Sequence, residues 1–369
     1  VDPTRRSLTG TGGYVKVGRK GNAKWNFSET FTWSSPGFDL NDMGYMKETD
    51  YLMNETEIMY RQTDIWKIFR YNAFTLSQKN MWNYGGTPFS NNASLRWQSM
   101  TMNRYEWDVK ETFAWNWLDS RLLRGGPDVR FGSYFLTSAK FNTDKAKRMM
   151  FMLKYEGDHN FEGNRFNTIS PSLTFRLGNH VYLSGQLDYA WNTDEMQYVA
   201  TTSPLSSSSL APYYYVMGHM DQKTYGLTLK LQVNVTPDIS IQFYGAPFTS
   251  IAKYDDFKLA ADTKSHTFEN RFQRIDPDQL TYADGVYTIG EGAGQMPFRN
   301  PDFRFNEFRS NLVARWEYLP GSTLYFVWEH RMSNRDNWYS SGWGSNLDRM
   351  WGLPATNTFM IKMNYWFNL

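Results

Sequence analysis

Residues 225 to 235 read YGLTLKLQVNV, and the alternation in that stretch constrains the chain more than any other feature. Tyr225, Leu227, Leu229, Leu231, Val233 and Val235 form one set; Gly226, Thr228, Lys230, Gln232 and Asn234 form the other. Successive strand side chains point to opposite faces, so a period of two predicts a strand with one apolar and one polar face. The pattern recurs. Val181, Leu183, Leu187, Tyr189 and Trp191 alternate with Tyr182, Ser184, Gln186, Asp188 and Ala190. Phe308, Ser310, Leu312, Ala314, Trp316 and Tyr318 alternate with Arg309, Asn311, Val313, Arg315 and Glu317. Segments 25–33, 149–155, 169–177 and 239–243 read the same way, and FMIKMNYWFNL at 359–369 carries it to the last residue.

A soluble sandwich also alternates. Composition separates the two cases. Aromatic residues reach 18%, with 15 Trp, 24 Tyr and 26 Phe, and they gather near strand ends. The mean hydropathy is nevertheless −0.62, and no apolar run is long enough for a membrane helix. A transmembrane barrel reconciles these facts, because lipid-facing and lumen-facing residues cancel in any window average. The expected fold is therefore all-β, an antiparallel up-and-down transmembrane β-barrel of the outer-membrane type, with 1–369 as one domain.

The joints between strands support the up-and-down order. Short ones, 19–24, 61–64, 102–104, 142–147, 177–180, 236–238 and 319–322, are rich in Gly, Pro, Asn and Asp, the residues of tight turns. Long ones are expected at 34–50, 84–91, 117–129, 156–165, 194–220, 250–302 and 333–355. Short turns on one side and long loops on the other match outer-membrane barrels. Strands between joints number about fifteen, with about 14 to 16 allowed by boundary error. The first strand, near 11–18, and the last then run in the same direction. Paired directly they would be parallel, so either upstream strands from another segment lie between them or a seam stays open. The start at Val1 fits a processed chain or a piece of a longer protein. Residues 225–235 and 239–249 are expected to form a hairpin through 236–238, and DGVYTIGEG at 284–292 a small hairpin inside a long loop.

The ending is also a candidate signal. Met363, Tyr365, Phe367 and Leu369 fall on one face of the last strand, like the C-terminal signal that the barrel-assembly machinery reads; the usual final residue is Phe, and here it is Leu369. SPGFDLNDMGYM at 35–46 and RNPDFRFNEFRSNLVARWEYLPGSTLYFVWEHR at 299–331 resemble a Bacteroidetes family. Its members carry an N-terminal carbohydrate-binding-like domain (family nine) before a C-terminal barrel of unknown function. The resemblance implies the outer membrane of a Gram-negative bacterium, with carbohydrate or other envelope proteins as further partners. It carries over no catalytic residue.

Chemistry in the sequence is sparse. There is no cysteine, and the net charge of +2 gives no electrostatic case for nucleic acid. The five His show no zinc spacing and no cofactor motif is present. Asp39 and Asp42 offer a catalytic carboxylate pair, a loop contact for sugar or, with Asn41, calcium, or turn hydrogen bonds only. Trp338, Trp343 and Trp351 suit sugar stacking, or a plug or girdle. Lys230, Arg309, Arg315, Glu317 and Lys362 are expected to face a lumen, and their mixed signs suit a weakly selective or partly filled one. The functions that follow are a channel or membrane anchor linked to carbohydrate binding, a carbohydrate-active or lipid-hydrolysing enzyme, or a structural subunit of an envelope complex. A lipid hydrolase needs a Ser and a His together near the outer rim. His330 is the one His placed for that.

Overall fold

The computed structural model describes residues 7, 9–40, 46, 48–115, 117–205, 212–336 and 343–367. The fold is all-β and antiparallel. The chain divides into two compact units. One holds Val1–Ala139, Gly157–Gly163 and Ala260–Gln273; the other holds Lys140–Glu156, Asn164–Leu259 and Arg274–Leu369.

In the first unit, β1 (Gly12–Arg19), β2 (Trp25–Ser34) and β3 (Tyr51–Gln62) lead into β4 (Phe69–Trp82), β5 (Pro88–Thr101) and β6 (Glu106–Trp115). A small hairpin, β7 (Trp117–Asp119) with β8 (Val129–Phe131), precedes β9 (Tyr134–Asn142). Hydrogen-bonded neighbours follow chain order, β1-β2-β3-β4-β5-β6-β9. A polar network pins the loops of this unit. Arg271 is buried, and its guanidinium donates to Glu162 Oε1 at 2.6 Å, Glu162 Oε2 at 2.9 Å and the Arg130 carbonyl at 2.7 Å. Glu162 also accepts from the Gly132 amide at 2.9 Å.

In the second unit the order is β10-β11-β12-β13-β14-β19-β20-β21. These are β10 (Met149–Asn160), β11 (Arg165–Leu177), β12 (Val181–Thr202), β13 (Tyr214–Asn234), β14 (Ile239–Ala260), β19 (Phe303–Leu319), β20 (Ser322–Asp336) and β21 (Thr356–Asn364). The division between units falls within β9 and β10. Between β14 and β19 come β15 (Phe272–Arg274) and a three-stranded sheet of β16 (Leu280–Ala283), β17 (Val286–Ile289) and β18 (Met296–Arg299). Asp284 and Gly285, at φ +50° and +79°, make the two-residue turn between β16 and β17, the hairpin expected at 284–292. A nine-residue helix, α1 (Trp343–Trp351), precedes β21.

Among the described residues the two paths hold seven and eight strands, fifteen together, against about fifteen expected. The hairpin of β13 and β14 pairs Asn234 with Ser240, and the Val235 amide donates to the Ile239 carbonyl at 2.9 Å, as the turn at 236–238 required. Among the described residues the strand order does not close on itself. Among the described residues β1 and β21 each pair on one side only, and every residue of β21 is exposed.

Three joints expected to be long are short. β4 and β5 are separated only by 83–87, β10 and β11 by 161–164, and β12 and β13 by 203–213. The strands run further than the apolar alternation does, because backbone pairing continues where the side chains are polar. Near 194–220, register shifts between Asp194 and Gln197, and between Tyr198 and Ala200, break the period without ending the strand. The last strand is shorter than expected. β21 ends at Asn364, opposite Thr323, because β20 starts at Ser322 and offers little further partner. The Trp366 amide donates instead to Ser322 Oγ at 2.9 Å.

Candidate functional site

The exposure of the strands is inverted relative to a soluble sheet. In β2, Trp25 is 60% exposed and Phe27 is exposed, while Asn26 is buried and Ser28 is only 6% exposed. Buried positions usually go to apolar residues. Register carries this across the first unit. Trp25 lies opposite Tyr60, with ring centroids 4.9 Å apart, and Phe27 opposite Ile58. Ser28 lies opposite Glu57, which lies opposite Ser77, which lies opposite Ser94. On the same inner-parity face, Arg96 Nε donates to Asp108 Oδ1 at 2.7 Å. The apolar face of this unit is interrupted. Glu29 shares it and accepts from Asn54, and Glu111 shares it and accepts from Thr137 Oγ1 at 2.7 Å.

The second unit shows the same inversion, its apolar face interrupted by the row of Ser310, His330 and Asn357. One face runs through Leu173, Leu183, Leu187, Leu229, Ile241, Trp316, Phe326, Phe359, Ile361 and Met363, all exposed. The opposite face holds Ser170 and Thr174, both buried, and most of the charges. Lys230, Arg309, Arg315, Glu317 and Lys362 all fall on it. Arg315 pairs with Glu317 at 2.6 Å, and Arg309 and Arg331 both meet Glu307, at 2.9 and 3.0 Å. Lys362 Nζ stands 5.9 Å from the Tyr325 ring, and Ser170 Oγ donates to Asp188 at 2.6 Å. A hollow of about 450 Å³ opens among Asp188, Ala190, Gly226, Tyr244 and Arg309, where small residues leave room between charged ones.

Polarity reverses at the far ends of β12, β13 and β14. There the apolar residues are inside. Val216, Phe257, Ile289 and Phe298 are buried together, with Phe257 centroids 4.9 Å from Tyr287 and 5.1 Å from Phe298. Beside this core His219 Nδ1 lies 3.1 Å from Glu195 and Nε2 lies 3.5 Å from Asp221. Burial alone would lower the His219 pKa. The Glu195 hydrogen bond and charge, with Asp221 and Asp255, outweigh it and hold the pKa above the ordinary imidazole value. Burial raises the Asp194 carboxyl, although the Met196 amide donates to it at 2.9 Å.

The loop residues singled out in the sequence are not gathered into one site. Asp39 is exposed; Asp42, Trp338 and Leu369 lie outside the described residues. Trp343 and Trp351 open and close α1, and the Trp351 ring centroid is 4.9 Å from that of Phe308. Met363 ends its run inside β21, whereas Tyr365 and Phe367 are exposed beyond it and stack at 6.3 Å. His330 lies on the apolar face of β20, and its Nδ1 is 2.9 Å from Asn357 Oδ1. Asn357 was not singled out, because nothing local marks a residue 27 positions away as the partner of His330.

No curated protein and no solved structure gives a match to this chain. A family model described as a domain of unknown function (DUF5916) matches residues 3–369. With its antiparallel strands and inverted faces, the chain therefore belongs to the DUF5916 family over nearly its whole length.

Proposed function

We propose that this chain is a wall of an outer-membrane β-barrel whose polar face lines a lumen, serving as a weakly selective conduit. The carrying observation is the inversion of exposure: Leu229 is 40% exposed, and Ser28 and Thr174 are buried. Exposed apolar area on this scale is costly in water and favourable against lipid chains. A membrane-crossing strand needs about 9 to 11 tilted residues. β12, β13 and β14 have 22, 21 and 22, so their far ends project beyond the bilayer, where the ordinary inside-apolar pattern returns. The inner face holds ion pairs of opposite sign, which neutralise one another and give no single-sign filter. Resemblance to a Bacteroidetes barrel family adds a Gram-negative outer membrane as the location and the barrel-assembly machinery as a partner.

The absence of cysteine makes the test direct. Spin labels at Leu229→Cys and Gln232→Cys, in protein folded into vesicles, should report lipid at the first and water at the second. Equal access of a water-soluble relaxation agent to both labels would exclude the membrane reading. Conductance across planar bilayers then separates a conduit from an anchor.

A further inference from the structure

One row of the apolar face in the second unit is polar. Along β19 that face reads Phe308, Ser310, Leu312, Ala314 and Trp316; along β20, Leu324, Phe326, Trp328, His330 and Met332; along β21, Asn357, Phe359, Ile361 and Met363. Register puts Ser310 opposite His330 and His330 opposite Asn357. The three polar residues are thus side by side on three adjacent strands, with aromatic and aliphatic residues on either side. Polar groups facing hydrocarbon are costly unless they bond to one another, and they mark function more often than packing.

The hydrogen bonds fix the order of the row. Trp328 Nε1 donates to Asn357 Oδ1 at 2.9 Å, and His330 Nδ1 is 2.9 Å from the same oxygen. An indole N–H only donates, so the atom between them is the amide oxygen, which only accepts. His330 Nδ1 therefore carries the proton, and Nε2 keeps the lone pair. Ser310 and His330 share no hydrogen bond here, but directly opposed residues on antiparallel strands have Cβ atoms about 4.5 to 5.5 Å apart, so a side-chain rotation brings the hydroxyl to Nε2. Beyond Ser310 the next residue in the row is Gly245, and the rings of Phe243 and Phe308 lean over it.

We propose that Ser310, His330 and Asn357 form an acyl-transfer site for carboxylic esters of membrane lipids. The assignment rests on the membrane reading above. His330 stands eight residues past Ser322, about 26 Å along the strand at ~3.3 Å per residue. With a tilt near 40°, that is a rise of about 20 Å, near the outer margin of a band roughly 25 Å tall. Lipid ester groups lie at that margin. The Ser310 hydroxyl bonds to the ester carbonyl carbon as its proton passes to His330 Nε2. The carbon–oxygen bond to the lysolipid breaks, and Nε2 returns the proton to the departing oxygen. Water then attacks the acyl-serine, its proton following the same route, and fatty acid and free Ser310 result. Asn357 is a positioning residue that holds the Nδ1–H tautomer.

The test uses the full chain folded into phosphatidylethanolamine and phosphatidylglycerol vesicles, with folding checked by heat-modifiable mobility. An alkyl fluorophosphonate should form an adduct on Ser310, located by peptide mass, and the vesicles should release fatty acid. Ser310→Ala should abolish both. His330→Ala should slow release by on the order of 10² to 10⁴-fold. Asn357→Ala should slow it as well, and Asn357→Asp should restore it with a displaced pH–rate profile, which a merely structural role would not produce. Folded, vesicle-inserted protein with no Ser310 adduct, and no more fatty acid than Ser310→Ala, overturns the site and leaves the membrane reading standing. Folded protein that stays out of vesicles overturns the lipid substrate together with the membrane reading.

Discussion

The two halves of β13 are built by opposite rules. Near the turn at 235–238 Leu229 is exposed and its apolar neighbours share its face; near Tyr214, Val216 is fully buried with Phe257, Ile289 and Phe298. One strand crosses from an inverted to an ordinary arrangement with no break in pairing to β12 or β14 beyond local register shifts. On the proposed membrane reading, the solvent changes along the strand. Where water surrounds the sheet, apolar residues must find each other; where hydrocarbon does, they face outward and the polar residues must pair inside.

The largest expected effect breaks the watery half. Phe257→Ala removes a ring that packs against Tyr287 and Phe298 and should cost about 3 to 5 kcal/mol. The three-stranded sheet of β16 to β18 should lose amide protection, measured by hydrogen exchange, before the near-turn ends of β12 to β14 do. Simultaneous loss in both halves would mean that they share one core.

Next comes the apolar half. Leu229→Arg should cost about 2 to 4 kcal/mol if the residue lies near the bilayer midplane, and Gln232→Arg on the opposite face should be tolerated. Denaturant titration of vesicle-folded protein measures both. A smaller penalty at Leu229 than at Gln232 would reverse the assignment of faces.

A smaller change is expected from pH. The His219 pKa is raised in the folded state, so its contribution is fully present below the ordinary imidazole pKa and is lost as pH rises through the folded value. Exchange at the distal ends of β12 and β13 should therefore quicken modestly as pH climbs above the ordinary imidazole pKa and through the raised folded value. His219→Gln should flatten that rise. An unchanged slope in the variant would assign the response to other groups.

The smallest effect is expected on the inner face. Glu317→Gln leaves Arg315 without its 2.6 Å partner. Stability should change little, since ion pairs open to solvent are screened by water and salt. Ion selectivity in planar bilayers should drift toward anions. Movement toward cations would place the pair outside the conducting path.

Much of this was legible in the sequence. Period-two alternation assigned Leu229 and Gln232 to opposite faces, and Pro, Gly, Asn and Asp marked the turns that the structure shows at 178–180, 235–238 and 320–321. Asp284 and Gly285 announced a hairpin because few other pairs tolerate positive φ at both positions. These are local properties, fixed by the pleat and by backbone sterics. Tertiary structure alone decided the rest. Strand ends at 194–220 were hidden because a ladder is held by backbone groups that carry no sequence signature. The reversal of polarity in β13 depends on whether β16 to β18 fold over that end. The row of Ser310, His330 and Asn357 exists only through register, since residues far apart in sequence become neighbours when three strands align. A chain can specify which face each side chain takes; which side chains then stand beside one another is a matter of pairing between strands.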